Sequence, residues 1–234
     1  SINLSCDILK VIFMSTKDQV VLDSLFRDIV KFYSSSQLSV VTLQAIIESI
    51  NDLECDEDMF APQLKEVCKI ITNSQPRMFP IDNLIILFKK ELEKHDYFKD
   101  KDLPTKKSAS IEIIKDLIDR LENDMNELAN HGLEHIEDGD FIVLHAVEEP
   151  VELLMPEAKR MGKEFEVLIL RQEATKTDQV INIMEKNSIK YTVIPEWDLI
   201  HFFDKVNKLF IGAYAITSDG KFVSDSGTSN IVSE

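Results

Sequence analysis

The strongest constraint on the fold of this chain is an alternation of short apolar runs with helical segments between residues 136 and 228. Runs of about five mostly apolar residues lie at 141–145, 166–170, 191–195 and 208–212. Segments with helical spacing separate these runs, near 151–161, 176–188 and 197–206. A strand–helix–strand order of this kind forms right-handed crossovers and a parallel sheet that helices cover on both faces. The sequence therefore predicts an α/β domain over residues 136–234.

The first half of the chain has a helical pattern instead. Apolar side chains recur at intervals of three and four residues, as on the buried face of a helix, in the segments 17–33, 38–53, 58–73 and 80–95. These segments predict a helical domain over residues 1–107.

A long helix is predicted to link the two halves. A polar stretch around Pro104 predicts a hinge. After it, apolar side chains form a single stripe, with Ser108 or Ser110 as the N-cap and Gly132 as the end of the helix. We therefore predict a linking helix within residues 108–135.

The charge of the chain limits its partners. Asp and Glu outnumber Lys and Arg by 42 to 26, which gives a formal net charge of −16. Such a surface repels phosphate backbones and anionic lipids, so we expect no direct nucleic-acid partner and no membrane partner. No run approaches the roughly 18 apolar residues that a membrane-spanning helix needs. The amino terminus lacks the pattern of a signal peptide, and a cytoplasmic location is expected.

The sequence does not indicate a metal or a cofactor. The three cysteines, Cys6, Cys55 and Cys68, lack the paired spacing of a zinc site and are expected to be reduced thiols. His131 and His135 have the four-residue spacing of a metal pair, but a glycine between them interrupts the helix that would align them. No Gly-x-Gly-x-x-Gly follows the first predicted strand, so a dinucleotide site is not supported.

Several motifs follow one another in a characteristic order. Ile136-Glu-Asp-Gly-Asp140 precedes the first predicted strand, and Ala158-Lys-Arg-Met-Gly-Lys-Glu-Phe165 precedes the second. Phe203–Ala213, Asp219-Gly220 and Ser226-Gly-Thr228 come later. The order resembles the superfamily that joins the alpha, beta and delta subunits of translation initiation factor 2B to ribose-1,5-bisphosphate and methylthioribose-1-phosphate isomerases. The resemblance implies an N-terminal helical domain, a long linking helix and a C-terminal Rossmann-like parallel sheet domain.

The chain departs from the isomerases of this superfamily at two positions. In those enzymes a cysteine follows the first strand, within Thr-His-Cys, and works with an aspartate in Gly-Ala-Asp. The corresponding residues here are Ala146 and Tyr214, and no cysteine occurs after Cys68. The resemblance therefore implies a scaffold without the thiol and the carboxylate that would move protons between sugar carbons.

Seven residues are candidates for binding a ligand, because the resemblance and the carboxyl ends of the predicted strands indicate them: Arg77, His145, Arg171, Tyr214, Asp219, Gly227 and Thr228. Arg77 lies in a scrambled form of an Arg-Pro turn that the family places in its helical half. Arg171 follows the second strand, where the family has Glu-x-Arg-Pro, and is a candidate for holding a phosphate. Asp225 stands where the family's Asn-Lys-x-Gly-Thr turn has a lysine, and with Glu148 and Glu149 it opposes a bisphosphate.

Three functions are compatible with this pattern. The first is a non-catalytic subunit of the initiation factor 2B type, which contacts other subunits or the initiation factor 2 alpha subunit. The second is a sensor of sugar phosphates or nucleotides that has kept the pocket without the reaction. The third is an isomerase-like enzyme with an altered site, in which His145, Glu148 or Asp219 serves as acid or base.

We also predict an oligomer, either of identical or of mixed subunits, that assembles through the α/β half. The segment from Trp197 to Phe210 holds more apolar surface than one helix needs for its own sheet, with Phe202 and Phe203 within it. The alternative is that this segment is ordinary core. The family continues past the Gly-Thr turn with another helix and strand, which this sequence does not include. A sheet that lacked its last strand would expose an edge, and a partner would have to cover it.

Overall fold

The computed structural model describes residues 33–74, 78–94 and 101–233, together with Asp23, Ser24 and Arg27. The chain forms two compact units, Ser1–Glu122 and Asn123–Glu234. The boundary between the units, after Glu122, falls inside the predicted linking helix. The three-part organisation into 1–107, 108–135 and 136–234 stays a prediction.

The first unit is helical in its described part, as the sequence predicts. Its elements are α1 (Ser35–Asp52), α2 (Glu57–Thr72), α3 (Phe79–Lys94) and the beginning of α4 (Leu103–Leu133). Each of the first three lies within three residues of a predicted segment. The predicted helix at 17–33 lies almost wholly outside the described residues.

Apolar side chains on the facing stripes of these helices form one core. Its largest fully buried members include Leu38, Leu43, Ile46, Ile50, Phe60, Ile71, Ile85, Phe88 and Ile114. At the start of α1, the hydroxyl of Ser34 accepts a hydrogen bond from the backbone N–H of Gln37, whose side chain accepts from the backbone of Ser34. This capping box fixes where the helix begins.

The start of α4 was predicted wrongly. The helix begins at Leu103, and the carboxylate of Asp102 accepts a hydrogen bond from the backbone N–H of Thr105 at 3.1 Å, as an N-cap side chain does. Pro104 lies in the first turn of α4, where backbone N–H groups have no partner within the helix, so the missing N–H of proline costs no hydrogen bond. Pro104 is therefore part of the helix and not a hinge between elements. Ser110 is inside the helix and donates its hydroxyl hydrogen to the carbonyl of Lys106 at 2.9 Å.

The second unit contains a four-stranded parallel sheet. Its strands are β1 (Phe141–His145), β2 (Glu166–Leu170), β3 (Lys190–Ile194) and β4 (Lys208–Ile211), in the spatial order β3-β2-β1-β4. Both ends of every strand agree with the prediction to within one residue. The α/β class is therefore confirmed.

The connections differ from the prediction in one place. The helices α5 (Glu149–Arg160) and α6 (Ala174–Lys186) are where the sequence indicates them, but the third connection is a short 3₁₀ helix, Glu196–Phe202. The chain then forms a small antiparallel hairpin outside the main sheet, of β5 (Ala215–Ile216) and β6 (Phe222–Val223). The last described element is α7 (Thr228–Ser233).

Apolar side chains cover both faces of the sheet. On one face, Ile142, Leu144 and their neighbours on β2 pack with α5, α6 and the end of α4. On the other face, Val143, Leu168 and Leu170 pack with Leu199 of the 3₁₀ helix and Ile231 of α7.

Candidate functional site

The site lies where the connections of the sheet diverge. The chain runs outward from β1 through β2 to β3, and then returns to place β4 on the other side of β1. The carboxyl ends of β1 and β4 therefore meet at a switch point, which is where open parallel sheets bind ligands. A Cβ on Gly212 would lie 1.8 Å from the carbonyl oxygen of Ala146, so only glycine lets these two strand ends approach so closely.

His145 ends β1 and is completely buried. Its Nε2 lies 2.9 Å from the hydroxyl of Thr228, which donates its one hydrogen to the carbonyl of Asp225 at 2.8 Å. Because the carbonyl of Asp225 can only accept, we assign the hydroxyl hydrogen of Thr228 to it, with Nε2 as the donor to Thr228 and the lone pair on Nδ1. Nδ1 has no hydrogen-bond partner, and the nearest carboxylate oxygen, from Glu196, is 3.7 Å away.

The imidazole of His145 is neutral at pH 7. Burial lowers its pKa below the usual 6.5, although the negative charges of Glu196 and Asp225 raise it in part. Burial prevails because a charged ring would lose its hydration, and Glu196, whose carboxylate lies 3.7 Å from Nδ1, is beyond hydrogen-bond distance.

A network of polar side chains closes the site on its other side. The hydroxyl of Tyr214 donates to the carboxylate of Asp225, and the ammonium of Lys176 donates to the oxygen of Tyr214 at 3.1 Å. The amide of Gln172 donates to Asp225 at 3.1 Å and accepts from the backbone N–H of Ala146 at 3.0 Å. The loops after β1, β2 and β4 are therefore joined to the turn before α7.

Tyr214 cannot serve as a base in this network. Burial raises the pKa of its phenol well above the usual 10, and the carboxylates of Asp225 and Glu148 raise it further. The phenol therefore stays protonated near neutral pH, with its hydrogen engaged by Asp225.

A cleft of about 330 Å³ opens beside this network. It is lined by Gln172, Glu173, Lys176, Glu196, Asp225 and Ser226. Three of these side chains are carboxylates and one is an ammonium, which already lies 3.5 Å from the carboxylate of Asp225. Because carboxylates outnumber the single ammonium group, the cleft has a negative electrostatic potential and repels a bisphosphate.

The structure brings together four of the seven predicted ligand-binding residues. His145, Tyr214 and Thr228 belong to the contacts above, and Gly227 lies against the carboxylate of Glu196, which a Cβ at this position would meet at 2.9 Å. Whether they bind a ligand stays a prediction.

The other three lie elsewhere or outside the described residues. Arg171 has an exposed side chain that does not line the cleft, and its backbone N–H bonds the carbonyl of Ile194. Asp219 lies in the turn of the β5–β6 hairpin, where it pairs with Lys221 at 2.6 Å. Arg77 lies outside the described residues.

The sequence did not indicate Gln172, Lys176 or Glu196 as members of the site. Gln172 lies two residues after the end of β2, and Glu196 lies two residues after the end of β3. This position just beyond a strand end is the sequence feature that could have indicated them as members of the site. Lys176 lies in the first turn of α6, and its participation depends on the direction in which that helix leaves the sheet.

Two further observations concern the described residues alone. They contain no group of three or more His, Cys, Asp or Glu side chains that could hold a metal ion. Among their helices, none has the length and apolar character needed to cross a bilayer.

Known proteins resemble this chain in sequence and in fold. The model of the initiation factor 2 subunit family matches residues 31–232. The chain is 30% identical over 124 residues to translation initiation factor eIF2B subunit delta of Dictyostelium discoideum, a match that covers 53% of this chain and 20% of that protein. It is 25% identical over 175 residues to ribose 1,5-bisphosphate isomerase of Pyrococcus furiosus, a match that covers 72% of this chain and 52% of that enzyme.

A solved structure supports the fold. The tetrameric eIF2B-beta2-delta2 complex from C. thermophilum contains a chain that superposes with a TM-score of 0.76 at 22% identity, covering 92% of this chain and 70% of that one. The relatives thus include both initiation factor subunits and an isomerase, and this chain spans a fifth of the first relative and about half of the second.

Proposed function

Because this chain belongs to the initiation factor 2 subunit family, we propose that it is a non-catalytic subunit of the initiation factor 2B type, which acts in translation initiation through contacts with other proteins. One observation carries the proposal. Ala146 and Tyr214 occupy the adjacent ends of β1 and β4, where the isomerases of the superfamily are expected to have a thiol and a carboxylate.

The chemistry of the site supports a loss of isomerisation. Moving a proton between sugar carbons needs a group that can accept and return it near neutral pH. The methyl group of Ala146 cannot do so, and Tyr214 stays protonated. Of the alternative acids and bases, His145 is buried with Nε2 engaged by Thr228, Glu148 is buried, and Asp219 pairs with Lys221 in the hairpin turn.

A direct assay tests this part of the proposal. The purified chain is incubated with ribose-1,5-bisphosphate and with methylthioribose-1-phosphate, beside the Pyrococcus furiosus ribose 1,5-bisphosphate isomerase as the positive control for the bisphosphate. We expect no turnover of either sugar phosphate. Turnover that disappears in Glu148→Gln or His145→Gln would show a rebuilt active site and would refute a non-catalytic role.

The proposed partners are other subunits and the initiation factor 2 alpha subunit. The eIF2B beta and delta relatives form a tetramer, and we propose that this chain likewise forms a homo-oligomer or a mixed oligomer through its α/β unit. Trp197 is 79% exposed and Ile200 is 61% exposed, so the 3₁₀ helix presents apolar surface outward. Phe202 instead stacks on Phe141, with ring centroids 6.2 Å apart, and is partly buried against the core.

Light scattering tests the assembly. The chain at micromolar concentration is expected to exceed the mass of a monomer, and Trp197→Ser is expected to shift it toward the monomer. Leu153→Ser, at a side chain on α5 that is 38% exposed, is the matched control and should leave the mass unchanged. A monomer in every case would refute assembly through this surface. Binding of the initiation factor 2 alpha subunit is measured separately by titration calorimetry.

The second candidate is a sensor of sugar phosphates or nucleotides, which the cleft of about 330 Å³ favours by its size. A ligand that binds only the native state raises the melting temperature. Because the cleft lining is acidic, we expect no shift with sugar bisphosphates or nucleoside monophosphates. A shift that depends on Lys176, tested with Lys176→Met, would favour the sensor over the protein-contact role.

A further inference from the structure

Two hydrogen-bond acceptors face each other at the inner wall of the cleft. Nδ1 of His145 is completely buried and has no hydrogen-bond partner among the described residues. The nearest carboxylate oxygen belongs to Glu196, 3.7 Å away, and Glu196 is one of the residues that line the cleft. A buried acceptor without a donor is unfavourable, and a lone pair and a carboxylate repel each other. A donor that served both groups would therefore stabilise this wall.

The carboxylate of Glu196 also needs a donor. It accepts no hydrogen bond from the part of the chain that the structure describes, and it lies against Gly227, where a Cβ would meet it at 2.9 Å. The ring of His145 does not supply the missing hydrogen, because its Nε2–H is engaged by Thr228 at 2.9 Å. Glu196 and Nδ1 are thus two acceptors within reach of one donor group.

The other charges of the cleft leave it negative. Asp225 already accepts hydrogen bonds from Tyr214 and Gln172, and the ammonium of Lys176 lies 3.5 Å from its carboxylate. Lys176 therefore offsets the charge of Asp225, and the charges of Glu173 and Glu196 have no counterpart in the lining. A negative, partly enclosed cleft attracts cations.

The arrangement of acceptors selects among cations. The described residues contain no group of three or more side chains that could hold a metal ion, so the cleft does not fit a metal. A guanidinium group carries several N–H donors in a planar fork, which can serve two neighbouring acceptors at once. It is also more weakly hydrated than an ammonium group, which favours it at a partly buried position.

We propose that the cleft binds the guanidinium group of an arginine side chain on a protein partner, with Glu196 and Nδ1 of His145 as the inner acceptors and Glu173 as the outer carboxylate. The inference rests on the proposed function, because the partner supplies the arginine. Nδ1 has no exposed surface, so the partly buried side chain of Glu196 moves aside as the guanidinium enters. The cleft would then hold a charge opposite to that of a sugar phosphate.

Titration with a blocked arginine tests the proposal. N-acetyl-arginine amide is added to the whole chain while imidazole nitrogen spectra follow Nδ1 of His145, and the exposed ring of His131 serves as an internal control. We expect saturable binding and a shift of the Nδ1 resonance toward that of a hydrogen-bonded acceptor. N-acetyl-citrulline amide has nearly the same shape without the charge, and it should bind about tenfold more weakly or less. Binding should also weaken as salt is added.

Two variants with opposite expected effects show whether the cleft is the site. Glu196→Gln should weaken binding of the blocked arginine about tenfold. Glu134→Gln, which makes the same charge change at an exposed position outside the cleft, is the matched control and should leave binding unchanged. Lys176→Met removes the competing ammonium group and should strengthen binding, whereas the same variant would abolish binding of an anion at this cleft.

Several results would overturn the proposal. These are the absence of saturable binding, equal affinity for the citrulline probe, and unchanged binding in Glu196→Gln. Free arginine that bound more tightly than the blocked form would indicate a small-molecule ligand instead of a partner side chain.

The outcome is separable from that of the proposed function. A failure of arginine binding, together with an oligomer in light scattering and no turnover of sugar phosphates, would reject this inference alone. Turnover of a sugar phosphate would reject the non-catalytic role whatever the arginine probe does.

Discussion

The buried hydroxyls of the helical unit and the polar groups of the site in the sheet unit find their hydrogen-bond partners in different ways. In the helical unit, the hydroxyls of Ser39, Thr42 and Ser49 donate to the carbonyl four residues earlier, each at 2.8 Å. At the site in the sheet unit, polar partners are far apart in sequence. His145 and Thr228 are separated by 83 positions, and the other side-chain pairs that join the loops of the network by 11 to 53.

The difference indicates where functional constraints lie. A hydroxyl that bonds its own helix is accommodated locally, and an alanine in its place leaves the helix hydrogen bonds intact. A long-range polar contact holds together loops from different strands, and removing one partner leaves the other buried and unpaired. The three hydroxyls therefore add little to the apolar packing of the helical unit, whereas the site at the ends of β1 and β4 depends on specific long-range polar contacts.

The largest expected effect tests the apolar half of this comparison. Phe88 is completely buried in the helical core, and Phe88→Ala should lower the free energy of unfolding by about 3–5 kcal/mol through lost burial and a cavity. Phe79→Ala on the same helix, at a ring that is 45% exposed, should cost about 1 kcal/mol or less. Urea unfolding followed by far-UV circular dichroism measures both. Equal losses would mean that burial does not govern the helical unit.

The next largest effect concerns the approach of β4 to β1. The methyl group in Gly212→Ala would overlap the carbonyl of Ala146, and a backbone atom cannot move aside as a side chain can. We expect a loss of about 1–3 kcal/mol, near the upper end of that range. Ala213→Ser, at the exposed neighbouring position, should be nearly neutral. Urea unfolding followed by the fluorescence of Trp197, the one tryptophan of the chain, reports on this unit; a neutral Gly212→Ala would contradict the close packing.

The sequence was sufficient for most of the sheet unit. Apolar runs such as 166–170 are buried on both faces, so their ends appear as changes from apolar to polar residues, and the strands were predicted to within one residue. The third connection was predicted as a longer helix because apolar spacing alone does not distinguish a 3₁₀ turn. The start of α4 was missed because the apolar stripe begins after the capping residue, Asp102.

The site was predictable only where residues directly follow a strand. His145 and Tyr214 were indicated because β1 and β4 end beside them. Lys176 reaches Tyr214 because α6 leaves the sheet in a particular direction, which no spacing in the sequence encodes. The hydrogen bond between Tyr214 and Asp225 depends on the β5–β6 hairpin. The hairpin brings the two residues together, since the backbone N–H of Tyr214 donates to the carbonyl of Val223 at 2.7 Å.

The polar half of the comparison predicts an intermediate loss at Thr228. Thr228→Val keeps the shape of the side chain but removes the acceptor for Nε2–H of His145, which becomes buried and unpaired. We expect a loss of about 1–2 kcal/mol in the free energy of unfolding. Thr192→Val, the same change at an exposed position on β3, is the control and should lie within about 0.5 kcal/mol of the unaltered chain. If both changes were equally mild, the long-range contact would not be stabilising.

The smallest expected effect is the matched change in the helical unit. Ser49 is completely buried, and its hydroxyl donates to the carbonyl of Ala45, which also takes part in the hydrogen-bond ladder of α1. Ser49→Ala therefore removes a donor together with its need for a partner, and alanine has the higher helix propensity. The small cavity left by the hydroxyl opposes that gain, so we expect a change within about 0.5 kcal/mol of zero. The test is urea unfolding of Ser49→Ala and Thr228→Val side by side. Each change removes one hydroxyl, but only the change at Thr228 leaves a distant buried partner, His145, unpaired. A loss at Ser49 as large as that at Thr228 would mean that hydrogen-bonded hydroxyls contribute equally in the two units.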